Sequence, residues 1–170
     1  RMVRINQGER GLDDLEWLVP HGVQLVLVPK VEDPAQVVAV DDRIRQICER
    51  IGREEPVWLM PIVESALGAL KALEIATSCP YVVALAIGLE DYTADLGVQR
   101  TNEGTESFWM RGQVVNAARA AGIQPIDTVF SDVSDEEGLK ASVLEAKSLG
   151  FDGKGCIHPR QIGVVNAAFA

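Results

Sequence analysis

The chain has 170 residues, enough for one domain with a sizeable core, and its 47% apolar and 24% charged content is that of an ordinary folded protein. A net charge of −9 with no clustered basic face argues against a nucleic-acid partner, because neutralising phosphates takes grouped lysines and arginines. No apolar run approaches the roughly 18 residues that cross a membrane and no signal peptide opens the chain, while Cys48, Cys79 and Cys156, without C-x-x-C spacing, read as reduced thiols of a cytoplasmic protein.

In chain order, strand and helix signals alternate. Residues 2–5 are a short β-prone run, and a start on Arg1 beside a strand is expected of a piece of a longer chain. Leu12, Leu15 and Leu18 mark a short amphipathic helix ending at Val19. Residues 23–28 read as a buried strand stopped by Pro29. Asp33 as N-cap, Pro34 at the first helical position, a stripe from Val37 to Ile51 and Gly52 beyond the end delimit a helix. Strand 57–63 follows, then a helix from about Leu67 to Thr77, and strand 82–87 closed by Gly88. A long polar loop is expected next, leading to a helix over about 106–121 that Gly122 closes. Residues 123–130 read as a strand, Ser134 to Glu137 as a capping box opening a helix that ends at Gly150, and 155–158 as a last strand-like piece.

Six strand signals alternating with helices imply a parallel sheet with helical crossovers. Periodicity leaves open whether that sheet is a doubly wound layer or a (β/α)₈ barrel. The polar residues favour the barrel: Arg4 and Asn6, Lys30, Glu64, Asp91 and Asp132 fall at or just past strand ends, where a barrel gathers its chemistry.

Glu64 and Asp91 follow successive strands, and two carboxylates at adjacent strand ends can converge on a hard cation such as magnesium, which leaves sites for water and substrate oxygens. The plain alternative for each is a helix-start acid. Glu90 competes with Asp91, but in an extended turn its side chain would point elsewhere. Arg4 carries a guanidinium suited to a carboxylate, or to a rim salt bridge. Lys30 could form a Schiff base, but Glu32 close behind would keep it charged, which favours an electrostatic, substrate-binding or structural role. His158 reads as a hydrogen-bonded structural residue, His21 as a turn residue, Cys156 as strand packing, and Trp17, Trp58 and Trp109 as core or interface. No G-x-G-x-x-G, P-loop or G-x-S-x-G supplies dinucleotide, phosphoryl-transfer or serine-hydrolase chemistry.

The motifs V-R-I-N (3–6), L-V-P-K-V-E (27–32), I-V-E-S-A-L-G (62–68), I-G-L-E-D-Y (87–92), R-T-N-E-G-T-E (100–106), I-D-T-V-F-S-D (126–132) and G-F-D-G-K-G-C-I-H-P-R-Q-I (150–162) resemble the citrate lyase β-subunit branch of the HpcH-HpaI aldolase and citrate lyase superfamily. Malyl-CoA and citramalyl-CoA lyases are relatives. The resemblance implies a (β/α)₈ TIM barrel of the phosphoenolpyruvate-binding-domain type, with this chain as one partial domain carrying the third to eighth strands. It implies magnesium on Glu64 and Asp91 and substrate on Arg4. It also implies a missing C-terminal segment that supplies an acid to a neighbouring subunit. The implied reaction is cleavage of a 3-hydroxy-acid thioester, with citryl-thioester on an acyl carrier protein giving oxaloacetate and acetyl-thioester. The implied setting is a homo-oligomer, with citrate lyase α and γ subunits as further partners. A stand-alone malyl- or citramalyl-CoA lyase and a non-catalytic barrel subunit are the alternatives.

Overall fold

The computed structural model describes residues 1–170. Its strands are β1 (Met2–Arg4), β2 (Leu25–Val28), β3 (Trp58–Val63), β4 (Ala84–Ile87), β5 (Gln124–Asp127) and β6 (Gly153–Lys154). Every pair is parallel, and the spatial order is the chain order, β1-β2-β3-β4-β5-β6. A doubly wound sheet reverses direction at a switch point. Here no reversal occurs, each crossover advances one strand the same way, and the sheet curls into a partial (β/α) barrel.

Alternation along the strands sorts the apolar side chains into two sets. Val26, Val28, Leu59, Val63, Leu85 and Ile87 face the helices and join a core of 30 buried residues, to which α2 (Pro34–Ile51) contributes Val37, Val40, Ile44 and Ile47. Met60, Ile62, Ala84 and Ala86, with Leu25, Leu27 and Ile126 against them, form a separate small cluster on the concave face.

The helix α2 follows its sequence signals closely: Asp33 accepts from the N–H of Ala35, Gln36 completes a capping box, and Gly52 closes the helix in the left-handed region. Other elements depart from expectation. Helix α1 (Glu9–Leu18) begins three residues before Leu12, behind a Gly8 whose φ of 67° only glycine adopts easily. The single helix expected over 67–77 is two, α3 (Ala66–Leu70) and α4 (Ala72–Ala76), hinged at Lys71, whose backbone leaves the helical region.

The segment expected as a polar loop after Gly88 contains α5 (Leu89–Leu96). A 3₁₀ turn (Thr105–Ser107) then leads into α6 (Phe108–Ala121). Strand β5 stops at Asp127, where its pairing with both neighbours, β4 and β6, has run out, rather than continuing to Phe130. Helix α7 (Glu136–Leu149) is capped by Asp135, which accepts from the N–H of Gly138; Ser134 instead lies in a turn held by Asp132. The last strand is Gly153–Lys154, just before the expected 155–158, and it is followed by α8 (Arg160–Phe169).

Candidate active site

Three strand ends build one recess. After β2, Pro29 leads to Lys30, whose φ of 51° is the only positive value at a non-glycine residue. That left-handed conformation costs about 1–2 kcal/mol, and here it turns one residue toward both candidate acids. The Lys30 N–H donates to Glu64 Oε2 at 2.8 Å, and its ammonium stands 3.3 Å from Asp91 Oδ2. After β3, Glu64 precedes Ser65, which caps α3 by accepting from the N–H of Gly68 at 3.0 Å and donates its hydroxyl to Glu32 at 2.8 Å. After β4, the chain passes Gly88 and turns into α5, placing Asp91 in the first helical turn, where the helix dipole favours negative charge. The helix-start alternative weighed for Asp91 is therefore also true of it.

Glu64 rests against Gly88: a Cβ there would collide with Glu64 Oε1 and stand 2.9 Å from its Cγ. Burial pushes the Glu64 carboxyl above its usual range, and the charge of Asp91 adds to this, against the hydrogen bond from Lys30 that draws it down. Two carboxylates forced together, one half-buried, favour a divalent cation between them. The recess is about 320 Å³ and is walled by Gln7, Lys30, Glu32, Glu64, Ser65 and Asp91, among others. No third acid, histidine or cysteine joins the pair as a three-residue cluster. Glu32 is bound by Ser65, and Asp95 accepts from the N–H of Ala66 at 2.8 Å. A donor set of two carboxylates fits magnesium, which prefers few protein ligands and keeps the rest of its shell for water and substrate.

The other candidates fall as follows. Arg4 ends β1 in register with Leu27 and so faces the concave side; it is exposed and forms no ion pair, and it lies outside the walls of the recess. Lys30 pairs with Asp91 rather than with Glu32. Glu90 is helical rather than extended, and it turns away from Asp91 to Arg100 and Ser131. His158 accepts from the N–H of Arg160 through Nδ1, the structural role expected, and His21 sits in a turn against the Trp17 carbonyl. Cys156 lies past β6 and is exposed, not packed in a strand, and all three cysteines are free. The tryptophans are exposed rather than core, at 73% for Trp17 and 57% for Trp109, while Trp58 leans on Tyr81 with ring centroids 5.8 Å apart.

Sequence reasoning missed Gly88 as a cradle and Gln7 and Ser65 as walls. A glycine directly after a strand and before two acids was the available signal. It also missed a second polar cavity of about 620 Å³ on the helix side of β5 and β6, walled by Glu90, Arg100, Arg111, Asp127 and Lys154, among others.

Residues 1–159 match the family model described as HpcH/HpaI aldolase/citrate lyase. The chain belongs to this family. It is 39% identical over 172 residues to the citrate lyase subunit beta of Escherichia coli (strain K12), covering 99% of this chain and 57% of that protein. It is 35% identical over 193 residues to an L-malyl-CoA/beta-methylmalyl-CoA lyase of Cereibacter sphaeroides, covering 98% of this chain and 59% of that one. Among solved structures it resembles the M. tuberculosis citrate lyase beta subunit complexed with oxaloacetate and magnesium, with a TM-score of 0.83, 34% identity, and coverage of 99% and 72%. The chain thus spans somewhat under three-fifths of the length of these two curated relatives.

Proposed function

We propose that the intact protein is a magnesium-dependent carbon–carbon lyase that cleaves a 3-hydroxy-acid thioester, with citryl-thioester on an acyl carrier protein yielding oxaloacetate and acetyl-thioester. The observation that carries this reading is the meeting of Glu64 and Asp91 at adjacent strand ends, with Glu64 seated against Gly88. The 39% identity to a citrate lyase beta subunit and the likeness to a relative solved with oxaloacetate and magnesium support the choice of substrate.

Glu64 and Asp91 would hold the ion, which when bound lowers the pKa of a substrate hydroxyl and polarises the oxygen that becomes a ketone. Lys30 contributes a positive charge at the rim of the same recess, suited to a substrate carboxylate. Arg4, unpaired on the concave face one strand further along, presents a planar fork that can take a carboxylate through two parallel hydrogen bonds and steady negative charge as the bond breaks. The thioester carrier, acyl carrier protein or CoA, a homo-oligomeric state and an assembly with citrate lyase α and γ subunits belong to the same reading.

A stand-alone lyase acting on malyl-CoA or citramalyl-CoA is the second reading, favoured by the 35% identity to the Cereibacter sphaeroides enzyme. Calorimetric titration of Mg²⁺ into the intact protein should show binding that Glu64→Gln or Asp91→Asn abolishes. Equal binding by both variants would remove the metal site and with it the lyase reading. Turnover of carrier-bound citryl-thioester is the result expected in the assay. Turnover of malyl-CoA alone would move the assignment to the second reading.

A further inference from the structure

The R-T-N-E-G-T-E segment, residues 100–106, stands outside the recess, yet its side chains are tied to the helix that carries Asp91. The Arg100 guanidinium donates from Nη1 to Glu90 Oε1 at 2.9 Å and from Nη2 to the Val129 carbonyl at 2.8 Å. Its side chain is 19% exposed, so the pair with Glu90 is better shielded on the arginine side than an ordinary surface bridge. Ser131 Oγ donates to the same Glu90 oxygen at 3.3 Å.

The loop that supplies Arg100 is itself fixed. The Glu106 carboxylate accepts from both the N–H and the hydroxyl of Thr101, whose oxygen accepts from the N–H of Gly104 at 3.1 Å. Gly104 has a φ of 70°, and a Cβ there would stand 2.7 Å from Arg111 Nη2. The loop that follows Arg100 is thus closed on itself by Thr101 and Glu106.

Helix α5 needs such a brace at its start. It has eight residues, and its N-cap, Gly88, offers no side-chain hydrogen bond to the first turn. Leu89, Tyr92 and Thr93 anchor it by burial. Its first turn is held by the Leu89 N–H on Thr128 Oγ1 at 3.3 Å and by the grip on Glu90. Neighbouring residues of a helix point about 100° apart. With Glu90 drawn toward the loop after β5, Asp91 turns the other way, toward Lys30 and Glu64. On that face the Lys30–Asp91 pair is half-exposed on both sides and holds the rotation only weakly. The bond from the Ala66 N–H to Asp95 secures the helix one turn further on, leaving its first turn to the grip on Glu90.

We propose that Arg100 is a positioning residue: by tying Glu90 to the loop after β5, it sets the rotation of α5 that presents Asp91 to Glu64. This rests on the reading of Glu64 and Asp91 as the magnesium ligands. The test is titration of Mg²⁺ alone, without substrate, into the intact protein and its R100M, E90M and R100M/E90M variants, with melting temperatures measured alongside. Removing a support of a metal ligand typically weakens binding 10- to 100-fold. R100M and E90M are each expected to weaken Mg²⁺ binding about 10-fold, and the double variant no further than E90M alone, since both remove the Arg100–Glu90 link. A folded R100M with wild-type affinity overturns the proposal, as does a double variant whose losses multiply. If R100M does not fold, E90M, which leaves the bond to Val129 in place while removing the acceptor on residue 90, carries the test, and wild-type affinity there overturns it equally. E64Q separates the two claims. If E64Q abolishes binding while R100M does not alter it, the brace falls and the metal site stands. If E64Q binds as the wild type does, both fall.

Discussion

Lys30 touches both acids, and Gly88 leaves the room that one of them, Glu64, occupies. Lys30 adopts a backbone conformation that a glycine would adopt at no cost, and in exchange its N–H meets Glu64 while its ammonium meets Asp91. Strain of this kind persists where the surroundings over-determine it, and such places gather at functional sites. Gly88 does the reverse, contributing by what it lacks. Its φ of −124° suits any residue, so Gly88→Ala keeps the backbone unstrained while the new methyl group strikes the Glu64 carboxylate. The expected outcome is a melting temperature near that of the wild type with Mg²⁺ affinity lowered roughly 10-fold or more. Calorimetry giving an unchanged affinity would mean that the position of Glu64 against Gly88 does not matter to the metal. Glu64, Asp91 and Lys30 were legible in the sequence because acids and cations at strand ends stand out against apolar runs, whereas the same signal at Arg4 picked a residue outside the recess. The roles of Lys30 and Gly88 were not, because each depends on a segment more than 20 residues away in the chain.

At the scale of elements, α2 was legible at both ends and α5 was not. Asp33, Pro34 and Gly52 each act through their own local backbone, so their meaning survives without tertiary context. Helix α5 did carry a signal, Leu89, Tyr92 and Leu96 at helical spacing before Gly97, but it is short, starts on a glycine, and its first-turn acids draw attention as ligands instead. The same locality makes the cap of α2 a clean probe of pH. The bond from the Ala35 N–H, then the Lys71 ammonium at 3.1 Å, hold the Asp33 carboxyl below its usual range. A carboxyl with a depressed folded-state pKa contributes stability that is complete above its unfolded value and fades as pH falls through the folded one. Asp33→Ala is therefore expected to lower the melting temperature at neutral pH, with the gap to the wild type closing as pH drops below about 3.8. A gap that stays constant down to the acid limit would show that the carboxylate charge plays no part in the cap.

For the molecule as a whole, alternating strands and helices were enough to predict a parallel sheet, and the polar strand ends leaned toward a barrel. The decision lies in the strand order, a property of how crossovers pack that no local window contains. That order has a consequence at its far edge. Strand β6 is two residues long, and it is pinned to β5 by Lys154, whose ammonium lies 2.8 Å from Asp127 Oδ2 with both side chains almost wholly enclosed on the helix side of the sheet. Asp127 Oδ1 has no partner, nor has Arg111 Nε across the same polar cavity, so the pair is only partly satisfied. Removing one member of such a pair leaves a buried charge unopposed, which costs about 3–5 kcal/mol, whereas replacing both by apolar groups is often neutral. Lys154→Met should therefore destabilise the protein by about that amount in urea unfolding, and K154M/D127L should recover most of the loss, the adjoining cavity giving the larger leucine room. If the double variant were as unstable as the single one, the ion pair itself would be what attaches β6, and the last strand of the sheet would depend on charge rather than on burial.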